Sequence, residues 1–397
     1  MKIVEINSFN FSSTGKIMRG IAEVATEQGN EAWMFCPDGR SQKKNVKNNY
    51  FIGSRYERFV SSKINYYTGK QGALNLIGTH QLLRRLDEIK PDIIHLHNLH
   101  SNYINWEMLF HYINKNNIKV VWTFHDCLPF TGQCPYFDIV KCDKWKHGCY
   151  ECPMTHKYPA TRWDVSKREY LRKKKLFTSV SDMVIVTPSQ WLANLVSESF
   201  LKVYPVRVIF NGIDLSDFYP RQSNFREKYN IPADKFIILG VAFSWGIRKG
   251  LDRFEKLAKI LDDRFQIVLV GINAAKVESD KILCISKTDN QGQLAEIYSA
   301  ADVLLNPTRE DNFPTVNIEA LACGLPVLSY GAGGSAEAFD ENSGMIVNDE
   351  CVLQTLNRLY TKPFDRKKCI ARGREFAQEE KFKEYVDLYT EILNKGR

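Results

Sequence analysis

Short apolar strands alternate with segments of helical period along most of this chain, and this alternation constrains the fold more than any other feature. In the first half we predict strands at residues 3–6, 32–36, 93–97, 120–124, 183–187 and 206–209. Helices are predicted between them. Residues 16–28, for example, are apolar at Ile17, Ile21 and Val24, and Gly29 closes the segment. This pattern is typical of a parallel sheet covered by helices on both faces.

The alternation stops in a polar stretch at residues 214–234 and then restarts. Further strands are predicted at residues 236–241, 266–271, 282–285, 303–306 and 326–329. A chain of 397 residues is long enough for two or three domains. We therefore predict an α/β chain of two doubly wound, Rossmann-like domains, at residues 1–205 and 206–380. Residues 126–165 form an irregular insert in the first domain, and residues 381–397 are predicted as a C-terminal helix that packs back on it.

Basic residues are concentrated in the first domain. Residues 1–205 contain 28 Lys and Arg against 18 Asp and Glu. The basic residues recur in clusters: Lys43, Lys44, Lys47, Arg55, Arg58, Lys63, Arg84, Arg85, Arg172, Lys173, Lys174 and Lys175. Such a surface favours an anionic partner such as lipid, nucleic acid or a phosphorylated substrate, although any single cluster is also typical of a solvated helix face.

The apolar runs are too short for a membrane-spanning helix. The first residues do not read as a signal peptide, because Lys2 is the only early cation and Glu5 interrupts the apolar stretch. We therefore expect a cytoplasmic protein.

The irregular insert contains five of the ten cysteines. Four of them, downstream of Cys127, have the spacing C-x7-C-x6-C-x2-C: Cys134, Cys142, Cys149 and Cys152. Disulfides are not expected in the cytosol. Four thiolates in a segment without a core of its own suit a tetrahedral structural zinc ion, and free buried thiols are the alternative.

Two sets of histidines lie at the ends of predicted strands. His95 and His97 share one strand face. No carboxylate lies near them in the sequence, so we interpret them as solvent-facing or hydrogen-bonded side chains rather than as a metal site. His125 and Asp126 directly follow strand 120–124, at the edge where doubly wound sheets bind ligands. We expect the His125 imidazole to donate to a ligand oxygen or to stabilise developing charge there.

The densest polar motif runs over residues 306–326. A predicted strand ends at Asn306, a turn presents Glu310 and Asp311, and a helix begins near Thr315 with Glu319 in its second turn. The amides at the helix start can bind an anion, and the Glu319 carboxylate can bind two neighbouring hydroxyls. A purely structural pair of carboxylates is the alternative.

Three further loops carry features of anion binding. Arg248 and Lys249 precede a helix and can clamp a diphosphate, or they form a solvated pair. Residues 7–15 are rich in Ser and Thr and end at Gly15, as in an anion-binding or an ordinarily capped helix start. The string GAGGSA at residues 331–336 comes too late in the chain for a dinucleotide fold, so we predict a tight turn before a helix there.

Taken together, these motifs resemble the retaining glycosyltransferases of family four, which have the two-domain GT-B fold. The resemblance covers the loop ending at Gly15, the pair His125-Asp126, and residues 211–214, 248–250, 294–302 and 311–334. Its most specific stretch is IEALACGLPV at residues 318–327. The Cys-rich segment is similar to a subset of the family that builds capsule and exopolysaccharide units.

The resemblance implies two domains that face each other across a cleft and a nucleoside-diphosphate sugar as donor. It implies eight donor-binding residues: Gly15, Arg248, Lys249, Glu310, Asp311, Asn312, Phe313 and Glu319. Of these, Lys249 and Asp311 would also be catalytic. His125 would be a third catalytic residue. In this set, Lys249 would bind the diphosphate and Glu319 the ribose, while Asp311, Asn312 and Phe313 would lie along the donor sugar. His125 would contact the sugar from the first domain.

The sequence departs from the family pattern at two positions. The family usually has Glu as its first carboxylate, whereas this chain has Asp311 with Glu310 beside it, so either residue could fill that role. The family also often has an Arg where this chain has Phe243, and we expect Arg248 to supply the missing positive charge.

The resemblance leads us to expect a retaining hexosyltransferase that needs no metal ion for catalysis. Its acceptor would be a lipid-linked saccharide in capsule, exopolysaccharide or lipopolysaccharide synthesis. The basic first domain implies an anionic partner surface at the inner face of the cell membrane, and we expect no nucleic-acid partner. The alternatives are a sugar-nucleotide 2-epimerase of the same fold and a non-catalytic scaffold that binds nucleotide sugars.

Overall fold

The structure, a computed structural model, describes residues 1–37, 47–274, 277, 279 and 281–395. Lys43 and Lys44 of the predicted basic clusters lie outside the described residues. The chain divides into two compact units. The first unit is formed by Met1–Phe210 together with Glu379–Arg397, and the second by Asn211–Gln378.

The first unit is built on a seven-stranded parallel sheet with the strand order β3-β2-β1-β4-β5-β6-β7. Its strands are β1 (Lys2–Ile6), β2 (Glu31–Pro37), β3 (Asn49–Ile52), β4 (Ile93–Leu96), β5 (Lys119–Thr123), β6 (Met183–Thr187) and β7 (Val206–Val208). The chain winds outward from β1 to β3 and then returns to place β4 on the other side of β1. Ligand sites of such sheets form at this switch point, beyond the carboxyl ends of the two strands.

Helices cover both faces of this sheet. They are α1 (Ser12–Glu27), α2 (Arg55–Thr68), α3 (Leu76–Ile89), α4 (Trp106–Lys115), α5 (Ser166–Phe177), α6 (Gln190–Glu198) and the last helix of the chain, α13 (Gln378–Asn394). Successive strand residues point to opposite faces. Ile3 accordingly packs with α1 and α13, and Val4 packs in the core that contains α3 to α6.

The insert after β5 is anchored to the first unit by aromatic and polar contacts. Phe130, Phe137 and Trp145 lie in its core. The fully buried Lys173 of α5 donates from Nζ to the carbonyl oxygens of Leu128 and Thr131, at 2.9 and 3.0 Å. Burial lowers the pKa of Lys173 to about 8. The insert therefore depends on α5 for part of its order.

The second unit has a six-stranded parallel sheet in the order β10-β9-β8-β11-β12-β13. Its strands are β8 (Phe236–Val241), β9 (Phe265–Val270), β10 (Ile282–Ile285), β11 (Val303–Asn306), β12 (Val327–Ser329) and β13 (Gly344–Ile346). Its helices are α7 (Phe225–Lys228), α8 (Leu251–Ile260), α9 (Gln291–Ala300), α10 (Thr315–Ala322), α11 (Val352–Thr361) and α12 (Arg366–Arg374). The switch point here lies between β8 and β11.

The predicted α/β class with doubly wound parallel sheets is confirmed. Two short edge strands, β3 and β13, were not predicted. The helix predicted after residues 331–336 is wrong, because the chain forms turns there. Gly331 and Gly333 have φ values of +68° and +60°, which is left-handed backbone that does not continue a helix. Among the described residues, no helix is both long and apolar enough to cross a membrane.

Candidate active site

Two loops meet at the carboxyl edge of the second sheet, one after β8 and one after β11. The ammonium of Lys249 in the first loop forms an ion pair with the carboxylate of Asp311 in the second. The two side chains are 21% and 13% exposed, so the pair is open to solvent. Lys249 and Asp311 are 62 residues apart in the chain. Their contact therefore joins the Lys249 turn and the motif at residues 306–326 in one candidate site.

Backbone contacts hold these two loops in register. The carbonyl oxygen of Arg248 accepts from the Arg309 amide at 2.8 Å, and the Arg248 guanidinium donates to the Glu310 carbonyl at 3.1 Å. Gly250 has a φ of +76°, and a Cβ there would lie 2.3 Å from the Pro307 carbonyl oxygen. Only glycine fits such a close approach of two backbones.

The structure distinguishes the two adjacent carboxylates. Glu310 is buried, and its carbonyl oxygen accepts from Arg248 and from Thr308. The Asp311 carboxylate instead contacts Lys249 and also accepts from the Asn312 amide at 3.1 Å. Asp311 is therefore the carboxylate that this edge presents to solvent beside Lys249.

The other predicted residues of this turn are part of its packing. Asn312 and Phe313 are both buried. The Phe313 ring packs against that of Phe376, with centroids 5.6 Å apart, and the Phe313 carbonyl accepts from Asn211 Nδ2 at 3.2 Å. The Phe313 ring thus fixes the turn, and what Phe313 can offer a ligand is its backbone.

Glu319 projects from the second turn of α10 and is oriented by a tyrosine. The Tyr298 hydroxyl donates to Glu319 Oε2 at 3.0 Å. Burial, followed by the charge of Glu319, raises the pKa of Tyr298 well above its usual value, so this hydroxyl stays protonated. No side chain caps the first turn of α10. The backbone amides of this turn point toward the carboxyl edge of the sheet, where their dipoles favour an anion.

The glycine string at residues 331–336 packs against the Asp311 turn. A Cβ on Gly333 would lie 1.8 Å from the Asp311 carbonyl oxygen, and the Gly334 amide donates to that oxygen at 3.3 Å. The string therefore supports the position of Asp311.

In the first unit, Gly15 lies in the first turn of α1. A Cβ at this position would lie 2.5 Å from the carbonyl carbon of Asn10, so the loop before the helix folds tightly over Gly15. The N-cap residue, Phe11, provides no side-chain cap, so the ordinary capped start weighed for this helix is wrong. Asn7 Oδ1 accepts from the Asn98 amide at 3.3 Å and links this loop to the one after β4.

A buried carboxylate lies among the histidines. His97 Nε2 is 2.7 Å from Glu5 Oε2, and His97 Nδ1 is 3.0 Å from His125 Nε2. His95 contacts the Tyr389 hydroxyl at 2.6 Å and Thr123 Oγ1 at 2.8 Å. The solvent-facing interpretation of His95 and His97 is therefore wrong, and their hydrogen-bonded interpretation is confirmed.

The electrostatics of this group keep Glu5 charged and His97 neutral. Burial raises the pKa of Glu5, but the contacts of its carboxylate with His95 and His97 outweigh this effect and bring the pKa to about 2. Burial and the neighbouring His95 lower the pKa of His97 to about 4, against the opposing effect of Glu5. Burial, then the other histidines, also hold the pKa of His125 well below its usual value.

Glu5 is the member of this candidate site that the sequence did not single out. It lies about ninety positions before the histidines but pairs in register with His95 across β1 and β4. A signal was present, because Glu5 is the only charged residue within an otherwise apolar run of a central strand. A buried charge in such a position needs partners.

Asp126 lies beside a second, more open group. Asp126 Oδ2 is 3.5 Å from His100 Nε2, and the Tyr158 hydroxyl is 2.8 Å from His100 Nδ1. Burial raises the pKa of Tyr158 to about 12, so the phenol stays protonated. Asp126 therefore belongs to a polar cluster at the same carboxyl edge as His125.

Among the described residues, one set of three metal-ligating side chains has its ligand atoms within 4.8 Å of one another, namely Glu5, His95 and His97. Hydrogen bonds already satisfy these atoms, so we interpret the set as a proton-sharing group.

Among the described residues, no three of the four clustered cysteines have sulfur atoms that all lie within 4.8 Å of one another. The sulfur atoms around tetrahedral zinc lie at about 2.3 Å from the ion, hence within about 4 Å of one another. Burial first, then in part the neighbouring thiols, raises the pKa of Cys134 to about 12, and burial raises that of Cys149 to about 11. The Gly132 amide does donate to Cys149 Sγ at 3.1 Å, a contact that favours a thiolate. Structural zinc stays a prediction, and it requires these sulfur atoms to move closer together.

Comparison with known proteins agrees with this fold and site. Residues 15–217 match the model of Glycosyltransferase Family 4, and residues 221–376 match that of Glycosyl transferases group 1. The first match begins after β1, and together the two matches span most of both doubly wound units. These matches identify a sugar-transferring enzyme, and the chain belongs to glycosyltransferase family 4, a retaining family.

A relative in Escherichia coli K12, assigned to colanic acid biosynthesis as the glycosyl transferase WcaC, is 28% identical over 280 residues. That alignment spans 66% of this chain and 66% of the relative, just under two thirds of its length.

Solved structures with low sequence identity share the fold. Sucrose-phosphate synthase from Thermosynechococcus elongatus matches with a TM-score of 0.70 at 18% identity, over 99% of both chains. HepE from Anabaena, in complex with UDP-glucose, matches with a TM-score of 0.68 at 12% identity, over 98% of this chain and 100% of that one. These likenesses establish the GT-B fold.

Proposed function

We propose that this chain transfers a hexosyl group from a nucleoside-diphosphate sugar to a saccharide acceptor carried on a lipid, in capsule, exopolysaccharide or lipopolysaccharide synthesis. The observation that carries the proposal is the Lys249–Asp311 pair at the start of α10. The relative assigned to colanic acid biosynthesis supports the acceptor class. The structure of the same fold that holds UDP-glucose supports the donor class.

In this proposal the donor diphosphate lies against Lys249. Negative charge grows on the diphosphate as the bond to the sugar breaks, and an ammonium with helix-start amides stabilises that charge most in the transition state. Arg248 holds the turn through the Glu310 carbonyl and adds positive charge. These groups stabilise the negative charge of the leaving diphosphate, which a metal ion would otherwise stabilise. We therefore propose a reaction without a metal ion.

The remaining contacts orient the donor. Glu319, fixed by Tyr298, accepts hydrogen bonds from the two ribose hydroxyls. Asp311 contacts the donor sugar, together with the backbone of Asn312 and Phe313. Gly15 allows the first loop to approach the donor closely.

The transfer step keeps the anomeric configuration. The bond from the sugar C1 to the diphosphate oxygen breaks, and a bond from C1 to the acceptor oxygen forms on the same face. The acceptor proton passes to a phosphate oxygen of the leaving diphosphate. His125 contacts the sugar, and no side chain acts as a covalent nucleophile.

Thermal unfolding with a panel of UDP-, GDP- and other nucleotide sugars tests the donor half. A ligand at about 100 times its dissociation constant adds about 2.7 kcal/mol of stability, which shifts the midpoint measurably. We expect one nucleotide class to stabilise the chain and Lys249→Ala to remove most of that shift. Lys259→Ala, an exposed lysine on the neighbouring helix α8, is the matched control. No shift with any nucleotide, or equal shifts in both variants, would contradict the proposal.

Incubation of the selected donor separates transfer from the alternatives. An epimerase would change the free donor without an acceptor, and a scaffold would turn over nothing. A transferase consumes the donor faster when saccharide acceptors are added.

The lipid half of the proposal is supported by an exposed apolar surface on the first unit. We call it the α2 patch, and it consists of Tyr56, Phe59, Ile64, Leu76 and Ile77. Tyr56 is 77% and Ile77 69% exposed. Arg55, Arg58 and Lys63 lie on the same helix. Exposed aromatic and aliphatic side chains flanked by cations are typical of surfaces that bind anionic membranes.

Sedimentation with anionic lipid vesicles tests this half separately. We expect binding that weakens as salt is raised and that Tyr56→Ser with Phe59→Ser reduces. Val203→Ser removes an exposed apolar side chain elsewhere and should bind like the wild type. Absence of salt-sensitive binding would remove the membrane partner and leave the donor site untouched.

A further inference from the structure

We propose that Glu5 and His97 are positioning residues that hold His125 in a single tautomer, with Nε2 protonated and Nδ1 bare, so that His125 accepts a hydrogen bond from a ligand hydroxyl. The identity of that ligand, a donor sugar, rests on the proposed function. The tautomer does not, because it follows from contacts within the first unit.

Glu5 lies on a central strand, and His97 and His125 lie just beyond the ends of the next two strands of the sheet. Glu5 of β1 is in register with His95 of β4, and His97 follows two residues later on the same face. His125 follows β5, the next strand of the sheet. Parallel strands thus place Glu5, His97 and His125 in a row that runs toward the carboxyl edge. Two contacts connect this row: Glu5 Oε2 lies 2.7 Å from His97 Nε2, and His97 Nδ1 lies 3.0 Å from His125 Nε2.

The direction of each hydrogen bond follows from the charge of Glu5. An ionised carboxylate only accepts, so His97 Nε2 carries a proton and donates to Glu5 Oε2. A neutral imidazole has one protonated nitrogen, so His97 Nδ1 is bare and accepts. His125 Nε2 must then be the protonated nitrogen that donates to it. In neutral His125 this leaves Nδ1 with a lone pair.

Other neighbours complete the contacts of Glu5 and His97. His95 Nδ1 lies 3.1 Å from Glu5 Oε2, farther than His97 Nε2 at 2.7 Å. Trp122 Nε1 donates to the His97 carbonyl oxygen at 2.9 Å, which fixes the backbone beside the ring. The Tyr389 hydroxyl lies 3.2 Å from Glu5 Oε1 and 2.6 Å from His95 Nδ1. His97 and Glu5 are fully buried, so water does not compete for these contacts.

This hydrogen-bond pattern differs from one expectation based on the sequence. His125 was expected to donate to a ligand oxygen, whereas this row makes it an acceptor. A ligand hydroxyl then has to donate to Nδ1. A site built to bind a hydroxyl discriminates against an analogue that lacks it, so the row contributes to sugar specificity.

Nitrogen NMR of the chain labelled with ¹⁵N-histidine tests the tautomer without any turnover. Imidazole shifts distinguish a protonated from a bare nitrogen. We expect His125, assigned with His125→Gln, to show a protonated Nε2 and a bare Nδ1. Glu5→Gln or His97→Gln should convert it to a tautomer mixture. His111→Gln changes an exposed histidine outside the row and should leave the His125 tautomer unchanged. A protonated Nδ1 in the wild type, or metal bound at Glu5, His95 and His97 in an elemental analysis, would overturn the inference.

A double-mutant cycle tests whether Glu5 acts through His125. We expect Glu5→Gln to lower kcat/KM by about tenfold, the effect of one hydrogen bond. In a His125→Ala background the same change should have no further effect, whereas a merely structural role would add its effect in both backgrounds. His97→Gln provides a second cycle if Glu5→Gln does not fold. A chain that has the expected tautomer but shows no turnover would contradict the proposed function. The positioning role of Glu5 and His97 would still be supported.

Discussion

At the scale of single residues, the candidate site depends on pairs that are distant in sequence. Lys249 meets Asp311, Tyr298 meets Glu319, and Glu5 meets His97. The sequence named both members of the first pair, Glu319 of the second and His97 of the third. The pairs themselves became visible only when strands from different parts of the chain were placed side by side.

The buried histidine makes the first unit sensitive to acid. The folded state keeps His97 neutral down to a pKa of about 4, whereas an unfolded chain takes up a proton near 6.5. Between these values the unfolded state binds more protons, so stability falls as pH falls through this window, by up to about 1.4 kcal/mol per pH unit for one group.

We therefore expect His97→Gln to flatten the decline of the thermal midpoint between pH 6.5 and 4.5. Below pH 4.5 the ionised Glu5, with its pKa of about 2, adds a decline of the same sign. His111→Gln changes an exposed histidine and should keep the wild-type slope. An unchanged slope in His97→Gln would mean that His97 is charged in the folded chain.

At the scale of elements, the last helix completes the first unit. Phe382, Tyr385 and Tyr389 of α13 lie in the core that α1 and the sheet form. Tyr389 also provides a hydrogen bond to the buried Glu5. The final residues of the chain therefore both fill a core and support the histidine group.

Packing between α1 and α13 predicts the sign of one substitution. Helix propensity alone favours Ala over Gly in a helix by about 1 kcal/mol. A Cβ on Gly20 of α1 would, however, lie 2.1 Å from Phe382 Cε2, and that ring is buried. We expect Gly20→Ala to destabilise the chain by about 2 kcal/mol in denaturant unfolding.

Two companion variants check the cause. Phe382→Leu in the Gly20→Ala chain should recover part of the loss by making room. Glu23→Ala, on the exposed side of the same helix, should change little. A Gly20→Ala chain as stable as the wild type would show that the two helices are not packed this closely.

Zinc in the cysteine insert is the second prediction at this scale. If the four thiols close around an ion, protein purified without chelator should contain about one zinc per chain, and Cys149→Ser should lose it. Cys351→Ser, outside the insert, is the control. Equal and near-zero zinc in the wild type and in Cys149→Ser would leave these residues as free thiols.

The sequence predicted most strands because their apolar runs are buried on both faces. It missed β3 because its Tyr50 and Phe51 are exposed at a sheet edge, and β13 because this short strand begins with Gly344 and ends with the exposed Ile346. It located the Asp311 turn and Lys249 from local motifs. It showed Glu5 as a charge within an apolar strand but could not identify its partners, because those are set by strand order.

At the scale of the whole molecule, each doubly wound unit has its own candidate ligand-binding edge. The edge of the second unit has cations and helix amides suited to a diphosphate, and the edge of the first has a neutral histidine. Family membership does not identify the acceptor. We expect the acceptor to bind at the α2 patch.

A crystal structure of the chain with the nucleoside diphosphate that stabilises it most tests the central claim directly. We predict phosphate oxygens within hydrogen-bond distance of Lys249 Nζ and ribose hydroxyls on the carboxylate of Glu319. A nucleotide bound at another surface, with Lys249 still paired only to Asp311, would contradict the account.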